Sequence, residues 1–124
     1  MIFDTDVLID LSRKHPPALE WLASQGVPPI LSGIAAIEVA YGARDAVALR
    51  SAKQLIANFV VEWQIAADLR KAYDLAELHL SNGIEVPDAI TAAIGLRLNL
   101  LVATFNVKHF RAVSGLALVR PYDR

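Results

Sequence analysis

The sequence predicts an α/β fold: a three-layer sandwich with a short-stranded parallel sheet flanked by helices. Three observations predict it. Short apolar runs alternate with helical stretches along the 124 residues, the order expected of βαβ units. Several of those runs are apolar without alternation, as in strands covered on both faces. Hydrophobic residues make up 55% of the chain and charged residues 20%, enough apolar side chain to build a core at this length. One domain over residues 1–124 is the organisation that the length implies.

The elements follow in order. Met1-Ile2-Phe3 is an apolar run that stops at Asp4, a strand entering a site. Val7 to Lys14 reads as a short helix, with Asp6 as its N-cap. Pro16-Pro17 opens another over Ala18 to Ser24, closed by Gly26. Ile30-Leu31-Ser32 is a second strand, broken by Gly33, and Ile34 to Arg44 a helix. Asp45 to Phe59 continues helically, with Leu49, Ala52, Leu55 and Ile56 on one stripe. Val60 to Trp63 is a third strand. Gln64 to Leu80 is the longest helical stretch, with an apolar stripe of Leu69, Ala72, Tyr73, Ala76 and Leu80, ended by Ser81-Asn82-Gly83. Pro87-Asp88 opens a helix to Leu98 that is apolar almost all round, hence buried. Leu100 to Thr104 and Leu116 to Val119 are the last strands.

Composition excludes several functions. Twelve Lys+Arg against thirteen Asp+Glu leave a net charge of −1, so no global basic field announces a polyanionic partner. A local patch would suffice, and Arg13, Lys14, Arg44, Lys108 and Arg111 are candidates to hold phosphates. Cysteine is absent, which removes disulfides, thiolate nucleophiles and zinc–cysteine sites. No apolar run approaches the ~18 residues of a membrane span, and Asp4, Asp6 and Asp10 are foreign to a signal peptide. A cytoplasmic protein without a membrane partner is expected.

Polar residues collect where ligands bind in open α/β sheets, beyond the carboxyl ends of the strands. Asp4, Ser32, and Thr104 with Asn106 close behind, all follow predicted strands. Ile34, Ile37, Glu38 and Tyr41 follow helical spacing, which puts Glu38 on an inward stripe. A buried carboxylate there is either paired with a cation of the chain or held for a metal or for catalysis. Asp88 at a helix start is either a cap or a rigidly held ligand. Asp10, four beyond Asp6, is expected to face solvent. Two carboxylates 4 Å apart repel by roughly 4 kcal/mol at an effective dielectric of 20. A divalent cation removes that cost, and hard oxygen ligands without cysteine point to Mg²⁺, or Mn²⁺, rather than zinc. Such a cation activates water and stabilises charge on a phosphate. His15, His79 and His109 follow no zinc spacing.

Four segments resemble the motifs of PIN domains, in order. Phe3-Asp4-Thr5-Asp6-Val7-Leu8 is similar to the family's opening, and Ala36-Ile37-Glu38-Val39-Ala40-Tyr41-Gly42 to its second motif. Val86-Pro87-Asp88-Ala89-Ile90-Thr91-Ala92-Ala93 resembles the third, and the run Val102 to Phe110 the fourth. Order, spacing and length resemble the VapC-type toxins, over nearly the whole chain. The resemblance implies a single PIN-like nuclease domain over residues 1–124. It further implies a Mg²⁺-dependent endoribonuclease that is the toxin of a toxin–antitoxin pair, with an RNA substrate, a protein antitoxin and a homodimeric state. By motif match Asp4, Glu38 and Asp88 are the metal-binding acidic cluster. Asn106 stands where many PIN domains carry a fourth acidic residue, Thr104 is a supporting hydroxyl, and Asp6 stands where the family often has Asn. Two other readings compete. Asp4-Thr5-Asp6 also resembles the first motif of haloacid-dehalogenase-like phosphatases, with Asp4 as nucleophile, although no adjacent acidic pair follows downstream. The third reading is a PIN-like interaction module without catalysis.

Overall fold

The computed structural model describes residues 1–124. Five strands form one sheet in the order β3-β2-β1-β4-β5: β1 Ile2–Phe3, β2 Ile30–Ser32, β3 Val61–Glu62, β4 Val102–Ala103 and β5 Leu118–Val119. Every neighbouring pair is parallel, with Ile2 opposite Ile30 and Val102. Eight helices connect them: α1 Thr5–Ser12, α2 Pro16–Ala23, α3 Gly33–Tyr41, α4 Ala46–Ile56, α5 Ala66–Asp74, α6 Glu77–Asn82, α7 Val86–Leu98 and α8 Val107–Phe110.

The two-residue period of a strand divides the core. Ile2 and Val102 point to one face and join Ile84, Ala89, Ile90, Ile94 and Phe110 under α7 and α8. Phe3, Leu31 and Ala103 point to the other and join Val7, Leu8, Leu11 and Ala35 under α1 and α3. Both faces of the sheet are therefore covered, the three-layer sandwich that the unalternated strands predicted. The chain winds from β1 through β2 to β3 on one side, then crosses back through α5–α7 to place β4 on the other side of β1. The direction of winding reverses between β1 and β4. Asp4 and Thr104 leave the sheet at that point, the place where open α/β sheets bind their ligands.

Helix α7 is apolar all round and buried continuously from Asp88 to Gly95. Gly83 ends α6 in the left-handed conformation, with φ 75°.

Four expectations need correction. The helix read from Val7 starts at Thr5, because Asp4 rather than Asp6 is its N-cap. The stretch Gln64 to Leu80 is two helices, and its stripe is rotated. Leu69, Tyr73 and Leu80 face outward, at 50%, 82% and 90% exposure, while Asp68 and Leu75 are buried and Ala72 and Leu78 pack on the core. The inward face is fixed by the ion pair of Asp68 with Arg97 of α7, at 2.9 Å. In α3 the buried side chains are the small ones, Ala35 and Ala36, while Ile37 and Tyr41 are exposed. Glu38 is therefore half-buried at the helix flank instead of inward. Asp10 is buried, because Tyr122 and Arg124 of the C-terminal segment close over it.

Candidate active site

Asp4 is the centre of the acidic site. It caps α1 from the end of β1, so burial follows from its place between sheet and helix. Its Oδ1 accepts from Thr5 N at 2.9 Å, and its Oδ2 from the buried Thr104 hydroxyl at 3.0 Å. Burial pushes its pKa up to about 7, helped by the nearby charges of Asp6 and Asp88 and opposed by those two hydrogen bonds. No Arg or Lys pairs with it.

Asp88 approaches from α7. It sits at the third helical position and reaches back, its Oδ2 accepting from Glu85 N at 3.1 Å. The same oxygen lies 2.9 Å from Nδ1 of His109 on α8. Glu38 joins from α3 through Thr5, whose hydroxyl donates to Glu38 Oε1 at 2.7 Å. Thr5 thus ties two of the acidic residues, by its backbone to Asp4 and by its side chain to Glu38. Beneath them the hydroxyls of Ser32 and Thr91 lie 3.0 Å apart, joining β2 to α7.

The remaining residues singled out by the sequence have different surroundings. Asp6 has donors of its own: its Oδ2 accepts from Phe105 N at 3.1 Å and its Oδ1 from Val7 N at 2.8 Å. Burial raises its pKa and those two amides oppose the rise. Asn106 is exposed at the start of α8, and its backbone N donates to Thr104 Oγ1 at 2.9 Å. Arg13 and Lys14 share a 730 Å³ cleft with Thr5, Ser12 and Glu38. Of the acidic residues only Glu38 lines that cleft; Asp4 and Asp88 do not.

The donor set consists of carboxylates and hydroxyls, the chemistry of a hard divalent cation. The frustration of Asp4, buried beside like charges without a compensating Arg or Lys, is what such a cation relieves. The chemistry therefore fits a metal. The spacing is looser than the sequence reading expected. No three His, Asp or Glu side chains lie together at ligand distance, because each carboxylate is turned to donors of its own. Sequence reasoning missed His109 and Thr91. The signal for His109 was its place three residues beyond Asn106 in the fourth motif, on a helix of four residues too short to show a period.

The fold has counterparts among known proteins. A toxin–antitoxin complex from Klebsiella pneumoniae contains a chain similar at a TM-score of 0.79 and 25% identity, covering 99% of this chain and 98% of that one. VapBC-1 from nontypeable Haemophilus influenzae gives 0.74 and 25%, covering 96% and 97%. DNA-bound VapBC from Salmonella typhimurium gives 0.77 at 18%, covering 95% of each chain, a likeness of fold. No curated protein matches. The PIN domain model matches residues 1–116. With the match spanning nearly all of the chain and such structural likenesses among toxin–antitoxin complexes, the chain belongs to the PIN domain family and resembles its VapC-type toxins.

Proposed function

We propose that the protein is a Mg²⁺-dependent endoribonuclease and the toxin of a type II toxin–antitoxin pair. The observation that carries this reading is the pair Asp4 and Asp88. Asp4 is buried at the switch point of a parallel sheet beside the charges of Asp6 and Asp88, and neither Asp4 nor Asp88 is paired with Arg or Lys. A structural role would have supplied a cation from the chain. Asp4 and Asp88 would hold Mg²⁺, with Mn²⁺ as a substitute, and Glu38 would complete the acidic set. When bound, the ion supplies charge neutralisation at the phosphate and a water of lowered pKa.

The chain's own residues do the rest. Thr104 fixes the rotamer of Asp4 through its hydroxyl. Thr5 fixes Glu38. Asn106, exposed at the rim, has an amide free to orient a substrate or a water. Arg13 and Lys14, which line a cleft together with Thr5 and Glu38, suit the phosphates of an RNA strand. The partners that go with this reading are RNA, a protein antitoxin and a second copy of the chain. Exposed Tyr41, Trp63, Tyr73 and Leu80 supply apolar surface for protein contacts. No helix is long and apolar enough to cross a membrane.

Cleavage of a labelled RNA tests the reading. The wild type should cut with Mg²⁺ and stop with EDTA. Asp4→Asn and Asp88→Asn should each lose more than the roughly 10–100-fold that loss of an outer metal partner costs. Cleavage that persists in EDTA, or in both variants, would overturn it. A phosphorylated Asp4 after incubation with a phosphomonoester would favour a phosphatase instead.

A further inference from the structure

One short segment serves both carboxylates. Thr104, where the chain leaves β4, donates to Asp4. Five residues on, His109 of α8 sets Nδ1 2.9 Å from Asp88 Oδ2. An ionised carboxylate only accepts, so the nitrogen that faces it carries the proton. Asp88 Oδ2 then takes two donors, His109 Nδ1 and Glu85 N, while Oδ1 makes no hydrogen bond within the chain. A carboxylate gripped twice through one oxygen has a fixed rotamer and presents the other.

The imidazole is itself held. Phe110 beside it is fully buried and anchors α8 in the core under α7. Asn82 Nδ2 donates to Lys108 O at 3.3 Å, tying the end of α6 to α8. No Lys or Arg contacts Asp88, so His109 is its one side-chain donor. A Lys in that place would bring a fixed positive charge that competes with a cation. His109 instead orients the carboxylate through a single ring N–H.

We propose that His109 is a positioning residue for Asp88, holding Oδ2 so that Oδ1 is the oxygen offered to the metal. This rests on the metal-dependent reading above and adds a residue to it. The geometry makes a specific demand: a donor at the place of Nδ1. Asparagine branches from Cγ as histidine does and can put its amide N–H there. Glutamine carries its amide one bond further out.

The test uses the full chain and three variants, His109→Ala, His109→Asn and His109→Gln, each checked by thermal melting. In the metal-free wild type, long-range ¹H–¹⁵N spectra should show the Nδ1-protonated tautomer of His109. The Nε2-protonated tautomer would overturn the proposal. Calorimetric titration with Mn²⁺ should then show affinity weakened by roughly 10–100-fold in His109→Ala. His109→Gln should weaken it too, and His109→Asn should restore it close to the wild type. Equal affinity in wild type and Ala variant would overturn the proposal, as would an Asn variant no better than the Gln. The Asn and Gln variants keep an amide side chain and decide the matter should the Ala variant fail to fold. A wild type that binds no Mn²⁺ and cuts no RNA would overturn the metal-dependent reading, and the tautomer alone then reports whether His109 holds Asp88.

Discussion

Two aspartates of the first ten residues show how position sets chemistry. Asp4 and Asp10 are both buried, at 4% and 6% exposure. Burial acts upward on both pKa values. At Asp4 it prevails, with the charges of Asp6 and Asp88 adding to it, and the value reaches about 7. At Asp10 the bidentate hydrogen bonds of Arg124, at 3.0 and 3.1 Å, and the Tyr122 hydroxyl outweigh burial and hold it below 3.8. The two groups therefore contribute to stability with opposite signs. Between the unfolded value of 3.8 and about 7 the native state keeps a proton on Asp4 that the unfolded chain has lost, so that contribution worsens as pH rises through this window. The contribution of Asp10 is complete above its unfolded pKa and is lost as pH falls through its lowered native one. Metal-free Asp4→Asn should melt higher than the wild type at pH 8, with an upper bound of roughly 4 kcal/mol at 1.4 kcal/mol per pKa step. Its advantage should shrink toward pH 5. Asp10→Asn should melt lower at pH 7 and converge with the wild type in acid. Melting curves across pH check both, and an Asp4→Asn variant less stable than the wild type at pH 8 would contradict the frustration argued for Asp4. The sequence disclosed Asp4, since a carboxylate that ends an apolar run is conspicuous. It concealed Asp10, because the partners that bury it lie 112 and 114 residues away.

At the scale of the element, periodicity gave the existence of helices more reliably than their faces. The stretch from Gln64 offered an apolar stripe through Leu69, Tyr73 and Leu80, and the fold buried the opposite side. One ion pair, buried at its Asp68 end, decides it: Arg97 donates through Nε and Nη2 to both oxygens of Asp68, and Nη2 also reaches Glu62 at 3.1 Å. Asp68 further accepts from Ile65 N, so it starts α5 as well as docking it on α7. A pattern that counts only apolar residues cannot see a helix anchored by a carboxylate. Arg97→Met leaves Asp68 buried without its partner and should lower stability in urea unfolding more than loss of the Glu62 contact does. Glu62→Gln, whose partner is shared and more exposed, should cost less than about 1 kcal/mol. Equal, small losses would mean that α5 is held by its apolar contacts alone. The stripe left outside is then free for another protein chain.

For the molecule as a whole, the predicted layers and strand positions were legible because unalternated apolar runs have one common explanation. Strand order was not, and it is order that places a site. Five parallel strands put Asp4, Ser32 and Thr104 at one edge, and the winding reverses there between β1 and β4. The proposed ligands then come from three separate elements: Asp4 before α1, Glu38 in α3 and Asp88 in α7. Their identities were readable from four short motifs, whereas the donors that hold Asp88 depend on the docking of α8, which no periodicity announces. The central claim is that this site binds a divalent ion through Asp4 and Asp88. Crystals soaked in Mn²⁺ and measured at the manganese absorption edge test it most directly. An anomalous peak bridging these two carboxylates, lost in Asp88→Asn, is the result predicted. A peak elsewhere, or none at Mn²⁺ concentrations that support RNA cleavage, would contradict it.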